Sequence, residues 1–305
     1  MNFLKIKAIT RELGLKKVIL DCDTSELCSI GAGGRSAALI TIDNIGKLLP
    51  TIEALEKSDI KYIILGGGTN IVFGSGLAEY VLIKLGRSFK DIKINTEKKI
   101  EAGAGAGTAN LVMKAARNGF DLTFLAGIPG TIGGAVSGNS GTGEQWICSE
   151  IYIIKYIYKS GKKISMASCS GEKIKSGYRY LNIPGLIAII SVILEPGLND
   201  RQILLSKISR DIDRRRSLQP IGLKTAGCFF KNPDNTDKSA GALIDGCGLK
   251  SFSYGGARVS PIHANFIENF NNASSEDIVV LSRIIKSKVK ERYGIGLEYE
   301  VKLIG

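Results

Sequence analysis

The chain of 305 residues lacks any apolar run that could cross a bilayer. The longest, residues 186–194 (LIAIISVIL), falls well short of the roughly 20 residues a spanning helix needs, so no membrane insertion is expected. Its first residues mix charges with apolar side chains and carry no secretory core, which leads to an expected cytoplasmic location. Histidine occurs once, at His263, and the six cysteines form no CxxC pair, so neither a disulfide framework nor a metal site is expected. Internal repeats and low-complexity stretches are also missing. No zinc-finger or RNA-binding signature accompanies the basic surplus of 41 Lys and Arg over 29 Asp and Glu, which argues against nucleic acid as the principal ligand. That surplus still favours anions, nucleotide phosphates among them.

What the chain has in quantity is glycine, 37 residues, much of it in runs. The periodicities around those runs predict an α+β protein with helices grouped around mixed sheets. Strands are expected over 61–66, 79–85, 150–158, 162–166, 187–194, 257–260, 264–267 and 297–304. The last rests on alternation of Leu297, Tyr299, Val301 and Leu303 with Glu298, Glu300 and Lys302. Helices are expected over 108–118, ended by Gly119, and over 200–217, 239–246 and 275–292. Ser274 and Asp277 offer the last of these a capping box. Gln219-Pro220 marks a boundary.

Two glycine-rich segments carry the chemistry. In the first, Gly66, Gly67 and Gly68 follow a strand and precede Thr69 and Asn70. Three successive residues without Cβ let amide groups converge on phosphate oxygens, to which Thr69 and Asn70 add side-chain donors. The segment matches neither the GxGxxG fingerprint nor a Walker loop, which argues against a Rossmann or P-loop enzyme. A tight strand-turn-strand is the plainer reading. The second runs from Ala126 and Gly127 through Pro129, Gly130, Thr131, Gly133 and Gly134 to Asn139. A loop of small residues this long suits close backbone contact with a flat cofactor, with Thr131 and Asn139 for its polar edges. A structural glycine loop is the alternative.

Together these segments resemble the UDP-N-acetylenolpyruvoylglucosamine reductase (UDP-N-acetylmuramate dehydrogenase) family. So do, in order, Tyr178-Arg179, Ala226-Gly227-Cys228-Phe229-Phe230-Lys231-Asn232, the stretch around Arg258 with His263-Ala264-Asn265, and the closing Leu297-Glu298-Tyr299-Glu300-Val301. The likeness runs from about residue 62 to the C-terminus. It implies an FAD-binding domain of the vanillyl-alcohol-oxidase type in two subdomains, 1–88 and 89–218 with a returning strand at 295–305, and a substrate-binding domain at 219–294. It also implies FAD and NADPH as cofactors and UDP-N-acetylglucosamine enolpyruvate as substrate, in peptidoglycan precursor synthesis. A monomer is expected.

The resemblance assigns Arg179 to the substrate's developing enolate and Glu300 to its carboxylate. Most relatives carry serine where Cys228 stands, and Cys228 inherits the role of proton donor; a small cysteine that only packs is the alternative. An unperturbed thiol, with a pKa of about 8.5, is a stronger acid than a hydroxyl. Tyr178, Lys231, Asn232, His263 and Asn265 are expected to face the substrate, and Arg215 its diphosphate, although Arg214 and Arg216 beside it leave that choice open. Three departures stand out. The serine two residues after Arg179 is lost to Leu181, the first forty residues match poorly, and no tyrosine insertion separates Ile190 from Gln219. Two rivals remain: an alcohol-oxidising flavoenzyme of the same superfamily, and a nucleotide-binding protein without catalysis. The first commonly links its flavin covalently through an N-terminal His or Cys, and no histidine precedes His263.

Overall fold

The computed structural model describes residues 3–143 and 145–305. The chain divides into two compact units: Met1–Asp21, Ala37–Gly67 and Glu79–Asp213 form the first, and Cys22–Ser36, Gly68–Ala78 and Arg214–Gly305 the second. Among the described residues no helix is long and apolar enough to cross a membrane.

The first unit is built on two sheets. One has four strands, in the order Lys17–Asp23, Arg35–Ile42, Leu77–Leu85 and Lys61–Leu65. Its last pair is parallel, from Lys61 opposite Tyr80 to Leu65 opposite Lys84. Helices Phe3–Glu12 and Leu48–Lys57 cover it, burying Ile6, Leu48, Ile52 and Leu55 at helical spacing against Ile40, Ile42, Val81 and Ile83. The other sheet has five strands, in the order Lys163–Ser170, Ile151–Ser160, Leu186–Leu194, Ile100–Gly103 and Ile92–Ile94. Helix Thr108–Arg117 packs Leu111, Val112, Ala115 and Ala116 into its core. Asn118 and Gly119, at φ +80°, end that helix, as the glycine predicts. Helix Arg201–Leu218 adds a stripe of Leu204, Leu205, Ile208 and Ile212 to the same core.

The second unit holds a four-stranded antiparallel sheet, in the order Thr225–Cys228, Phe266–Asn269, Ala257–Val259 and Ser253–Tyr254. Helix Ser275–Tyr293 buries Ile278, Leu281, Ile285 and Val289. Its expected capping box is complete: Asp277 N donates to Ser274 Oγ at 3.0 Å, and Ser274 N donates to Asp277 Oδ2 at 2.9 Å. The segment 22–36 belongs to this unit through Ser29 Oγ, which donates to Thr225 O at 2.6 Å, and Asn269 Nδ2, which donates to Ile30 O at 3.0 Å.

Three expected strands differ in extent, and the one placed at 162–166 runs over Lys163–Ser170, paired along its whole length with Ile153–Ser160. The strand placed at 264–267 spans Phe266–Asn269 instead, because Phe266 N closes a turn onto His263 O and releases Asn265 for other partners. The strand placed at 297–304 is regular only over Lys302–Ile304, parallel to Ile71–Phe73. Before it, Glu300 N and Val301 N both point to Phe229 O, at 3.0 and 3.4 Å, so the chain bulges as it changes partner. Leu297 and Val301 are buried as the alternation requires, but Leu303, beyond the bulge, is 39% exposed.

Candidate active site

In the first unit, strand Lys61–Leu65 delivers Gly66 and Gly67 against the second glycine-rich segment. A Cβ at Gly66 would lie 2.7 Å from Thr131 Oγ1, and one at Gly67 would lie 2.8 Å from Gly130 Cα. The two loops can approach this closely only because those side chains are absent. Gly127 and Gly130 hold φ values of +74° and +115°, which side-chain-bearing residues seldom adopt. Thr108, marked by no motif, anchors the loop through two hydrogen bonds. Its hydroxyl donates to Ile128 O at 2.6 Å, and its amide to Gly130 O at 3.1 Å. Thr131 caps the short helix Ile132–Ser137 by accepting from Gly134 N at 3.4 Å. Ala126 and Ile132 are buried beneath, while Gly67, Gly127, Pro129 and Gly134 are exposed. The unit thus exposes a row of small residues that a flat ring and its phosphates could approach closely.

Asn139 ends that segment, and at 2% exposure it is buried. Its Oδ1 accepts from Cys148 N at 3.1 Å, and its Nδ2 donates to Gly177 O at 2.8 Å. Burial pushes the neighbouring Cys148 thiol up to about 12, so it stays protonated. Gly177 closes one strand of a hairpin, Lys175–Gly177 with Tyr180–Asn182, and Tyr178 and Arg179 form its tip. Arg179 sits at φ +55°, and its guanidinium lies 5.5 Å from the centre of the Tyr178 ring. Trp146 meets the other edge of the tip, 5.8 Å from Tyr178 in a T-shaped pair.

The second unit gathers Thr69, Asn70, Cys228, Lys231, Asn232, His263, Asn265 and Glu300, with Gly68 at φ +67° at its entry. Phe229 and Phe230, 0% and 1% exposed, form the floor with Tyr299, which stacks on Phe230 at 5.5 Å. Cys228, half-buried, precedes this floor and pairs with Phe266 across the sheet. Glu300 N donates to Phe229 O at 3.0 Å, and Asn70 Nδ2 donates to Glu300 O at 3.2 Å. Cys228 and Glu300 therefore flank the same aromatic residue, and Asn70 braces the backbone of Glu300.

The remaining residues have distinct partners. Asn265, 4% exposed, brackets Phe230: Oδ1 accepts from Phe230 N at 3.0 Å and Nδ2 donates to Phe230 O at 2.8 Å. His263 accepts from Asn265 N through Nδ1 at 3.2 Å, so the proton of its neutral form sits on Nε2. Burial pushes the imidazole below its ordinary value. Gly241 faces it: a Cβ there would lie 3.1 Å from His263 Cε1. Asn232 Oδ1 accepts from Ala240 N at 3.0 Å, at the start of helix Ala240–Gly246. Lys231 forms an ion pair with Glu298 at 3.3 Å. Of the three successive arginines, Arg215 is half-buried and both neighbours are exposed. Arg179 belongs to the first unit, and Cys228 and Glu300 to the second.

Residues 219–304 match the model of the C-terminal domain of UDP-N-acetylenolpyruvoylglucosamine reductase, and residues 36–162 match an FAD binding domain. The reductase of Desulfosudis oleivorans is 32% identical over 301 residues, covering 95% of each protein. The chain belongs to the UDP-N-acetylenolpyruvoylglucosamine reductase family. Another reductase of that name, from Geotalea uraniireducens, is 35% identical over 80% of this chain. The crystal structure of the Thermus caldophilus reductase superposes with a TM-score of 0.78 at 30% identity, covering 95% of this chain and 98% of that one.

Family membership makes the chain an oxidoreductase and a flavoprotein of α+β architecture with an FAD-binding domain. FAD and NADPH are the cofactors of this reductase family, whose place is peptidoglycan synthesis. Both glycine-rich segments lie within the matched FAD-binding span or at its close, residues 66–70 and 126–139, and their exposed small residues fit that cofactor. Similarity over 95% of the chain also reaches into the first forty residues, farther than the motifs that begin near residue 62.

Proposed function

We propose that this chain reduces UDP-N-acetylglucosamine enolpyruvate to UDP-N-acetylmuramate at the expense of NADPH, acting as a cytoplasmic monomer. When bound, FAD supplies the hydride, taken from NADPH and delivered from N5 to C3 of the enolpyruvyl group. The chain's residues must then manage charge at the substrate carboxylate and provide one proton at C2, which completes the saturated lactyl ether.

Arg179, planar and permanently charged, is suited to a bidentate contact with the carboxylate as negative charge builds there. Glu300 acts at the same group, and Cys228 gives its proton to C2. Gly66, Gly67, Gly68, Thr69, Asn70 and the 126–139 loop hold FAD. Tyr178, Arg215, Lys231, Asn232, His263 and Asn265 serve the sugar nucleotide. Residues 219–294 form the substrate-binding domain, a division supported by the start of the C-terminal family match at residue 219. The remainder, with 295–305, holds the flavin as two subdomains, 1–88 and 89–218.

The observation that carries this reading is the second unit's geometry. Cys228 directly precedes Phe229 and Glu300 N donates to Phe229 O, so the main chain brings the residues bearing a thiol and a carboxylate to one point, in a chain that matches a reductase along 95% of its length. The test is direct. Purified protein should show a flavin spectrum and should oxidise NADPH when UDP-N-acetylglucosamine enolpyruvate is added, with a product two mass units heavier than the substrate. Intact flavin with no substrate-dependent oxidation would overturn the proposal. Rapid reoxidation by oxygen of flavin reduced by an alcohol would favour an oxidase instead.

A further inference from the structure

The hairpin that carries Arg179 is a weak support by itself. Each strand has three residues, and Lys175, Ser176, Tyr178, Tyr180 and Asn182 are exposed. A two-stranded ribbon of this size is marginal in water. Its base is fixed by Ile174, Leu181 and Ile183, which pack against the first unit's core. Its tip needs a separate anchor, because Arg179 holds a left-handed backbone conformation that is unfavourable for a residue with a side chain.

That anchor is Asn139. Its Nδ2 donates to the carbonyl of Gly177, two residues before Arg179, from a side chain that is 2% exposed. Its Oδ1 is committed to Cys148 N. Cys148 Sγ in turn donates to Val136 O at 3.5 Å, so the residue that Asn139 holds is itself tied back to helix Ile132–Ser137. Asn139 is also the last residue of the second glycine-rich segment. Its own amide donates to Val136 O, and the next amide, Ser140 N, donates to Ala135 O, which ties it to helix Ile132–Ser137. One buried amide side chain thus joins the flavin loop to the arginine's hairpin.

We propose that Asn139 is a positioning residue that sets the placement of Arg179 relative to the flavin loop, an inference that rests on the role proposed above for Arg179. Because both polar ends of its amide are engaged within the protein, its contribution to the reaction passes through Gly177 and the hairpin tip. Loss of the Nδ2 donor would free the tip without removing the arginine.

The test compares Asn139→Asp, which keeps the Cys148 acceptor but replaces the donor with a charge that repels the Gly177 carbonyl, and Asn139→Ser, which removes the reach to Gly177 without adding charge. Flavin reduction by NADPH reports any disturbance of the flavin loop itself, of which Asn139 is the last residue, and should fall far less than reoxidation does. Reoxidation of reduced flavin by substrate should fall about 10–100-fold, the scale of a misplacement of about 1 Å. Combined with Arg179→Ala, the Asn139 substitution should add little further loss, since both act at one point. A readout free of turnover is also available. Trp146 is the chain's single tryptophan and lies against Tyr178 at the tip, so its acrylamide quenching in flavin-free protein should increase in both variants. The outcomes separate. If Arg179→Ala leaves turnover intact, the role of Arg179 fails. If Arg179→Ala abolishes turnover while both Asn139 variants keep wild-type reoxidation and quenching, this inference alone is overturned. Equal losses in both half-reactions would make Asn139 merely structural and would overturn it too.

Discussion

The two units hold their chemical groups in opposite ways. In the second, Cys228 and Glu300 sit on either flank of Phe229 in a floor of Phe229, Phe230 and Tyr299, with Asn265 bracketing the main chain of Phe230 from both sides. In the first, Arg179 stands at the tip of an exposed ribbon tied down by a buried amide. The first arrangement stores its precision in apolar burial, which is spread over many contacts. The second stores it in a few directional bonds. Damage to the floor should therefore appear as lost stability, and damage to the ribbon as lost turnover in a protein that is still folded.

The largest effect expected is at the floor. Phe230→Ala should destabilise the protein by about 3–5 kcal/mol, read from urea unfolding, since it empties a buried ring site and strips Tyr299 of its stacking partner. A loss well below that range would mean that the floor is held by something other than aromatic packing.

Next comes Ser274→Ala, which should cost about 1 kcal/mol by opening the capping box of helix Ser275–Tyr293. The same box gives a pH signature. Amide donors from Ser274 and Gly256 hold the Asp277 carboxyl below its ordinary range. Its share of stability is therefore complete above the unfolded carboxyl's value of about 4 and is lost as pH falls through the lower native value. Asp277→Asn should flatten that part of the acid unfolding profile.

The smallest stability effect belongs to the ribbon. Tyr180 is 50% exposed, and Tyr180→Ala should shift stability by no more than about 0.5 kcal/mol. A larger change would show that the ribbon contributes to the fold, and would erase the contrast between the units.

The fold's elements were legible where local pattern decides them. Helix stripes, the Ser274–Asp277 cap, the stop at Gly119 and the two glycine-rich segments can all be read from neighbouring residues. The buried amides could not be read this way. Asn139 reaches Gly177 38 positions on, and Asn265 reaches Phe230 35 positions back, with no periodicity to signal either bond. Thr108 escaped for the same reason, its partner Ile128 lying 20 positions away. In 297–304 the alternation was real, but period two cannot tell which strand a segment faces or where it changes partner. The bulge at Glu300 reset the pattern, so Leu303 points outward. Cys228 is the reverse case: its type is conspicuous in sequence, while its pairing with Phe266 across the sheet is visible only in the fold.

The most direct measurement is on Cys228→Ala in flavin-loaded protein, with the two half-reactions followed separately by flavin absorbance. Reduction by NADPH should proceed at nearly the wild-type rate, while reoxidation by UDP-N-acetylglucosamine enolpyruvate should fall by at least about 10²-fold, the scale of a lost general acid. Wild-type reoxidation in that variant would contradict the account and leave Cys228 as a cysteine that only packs.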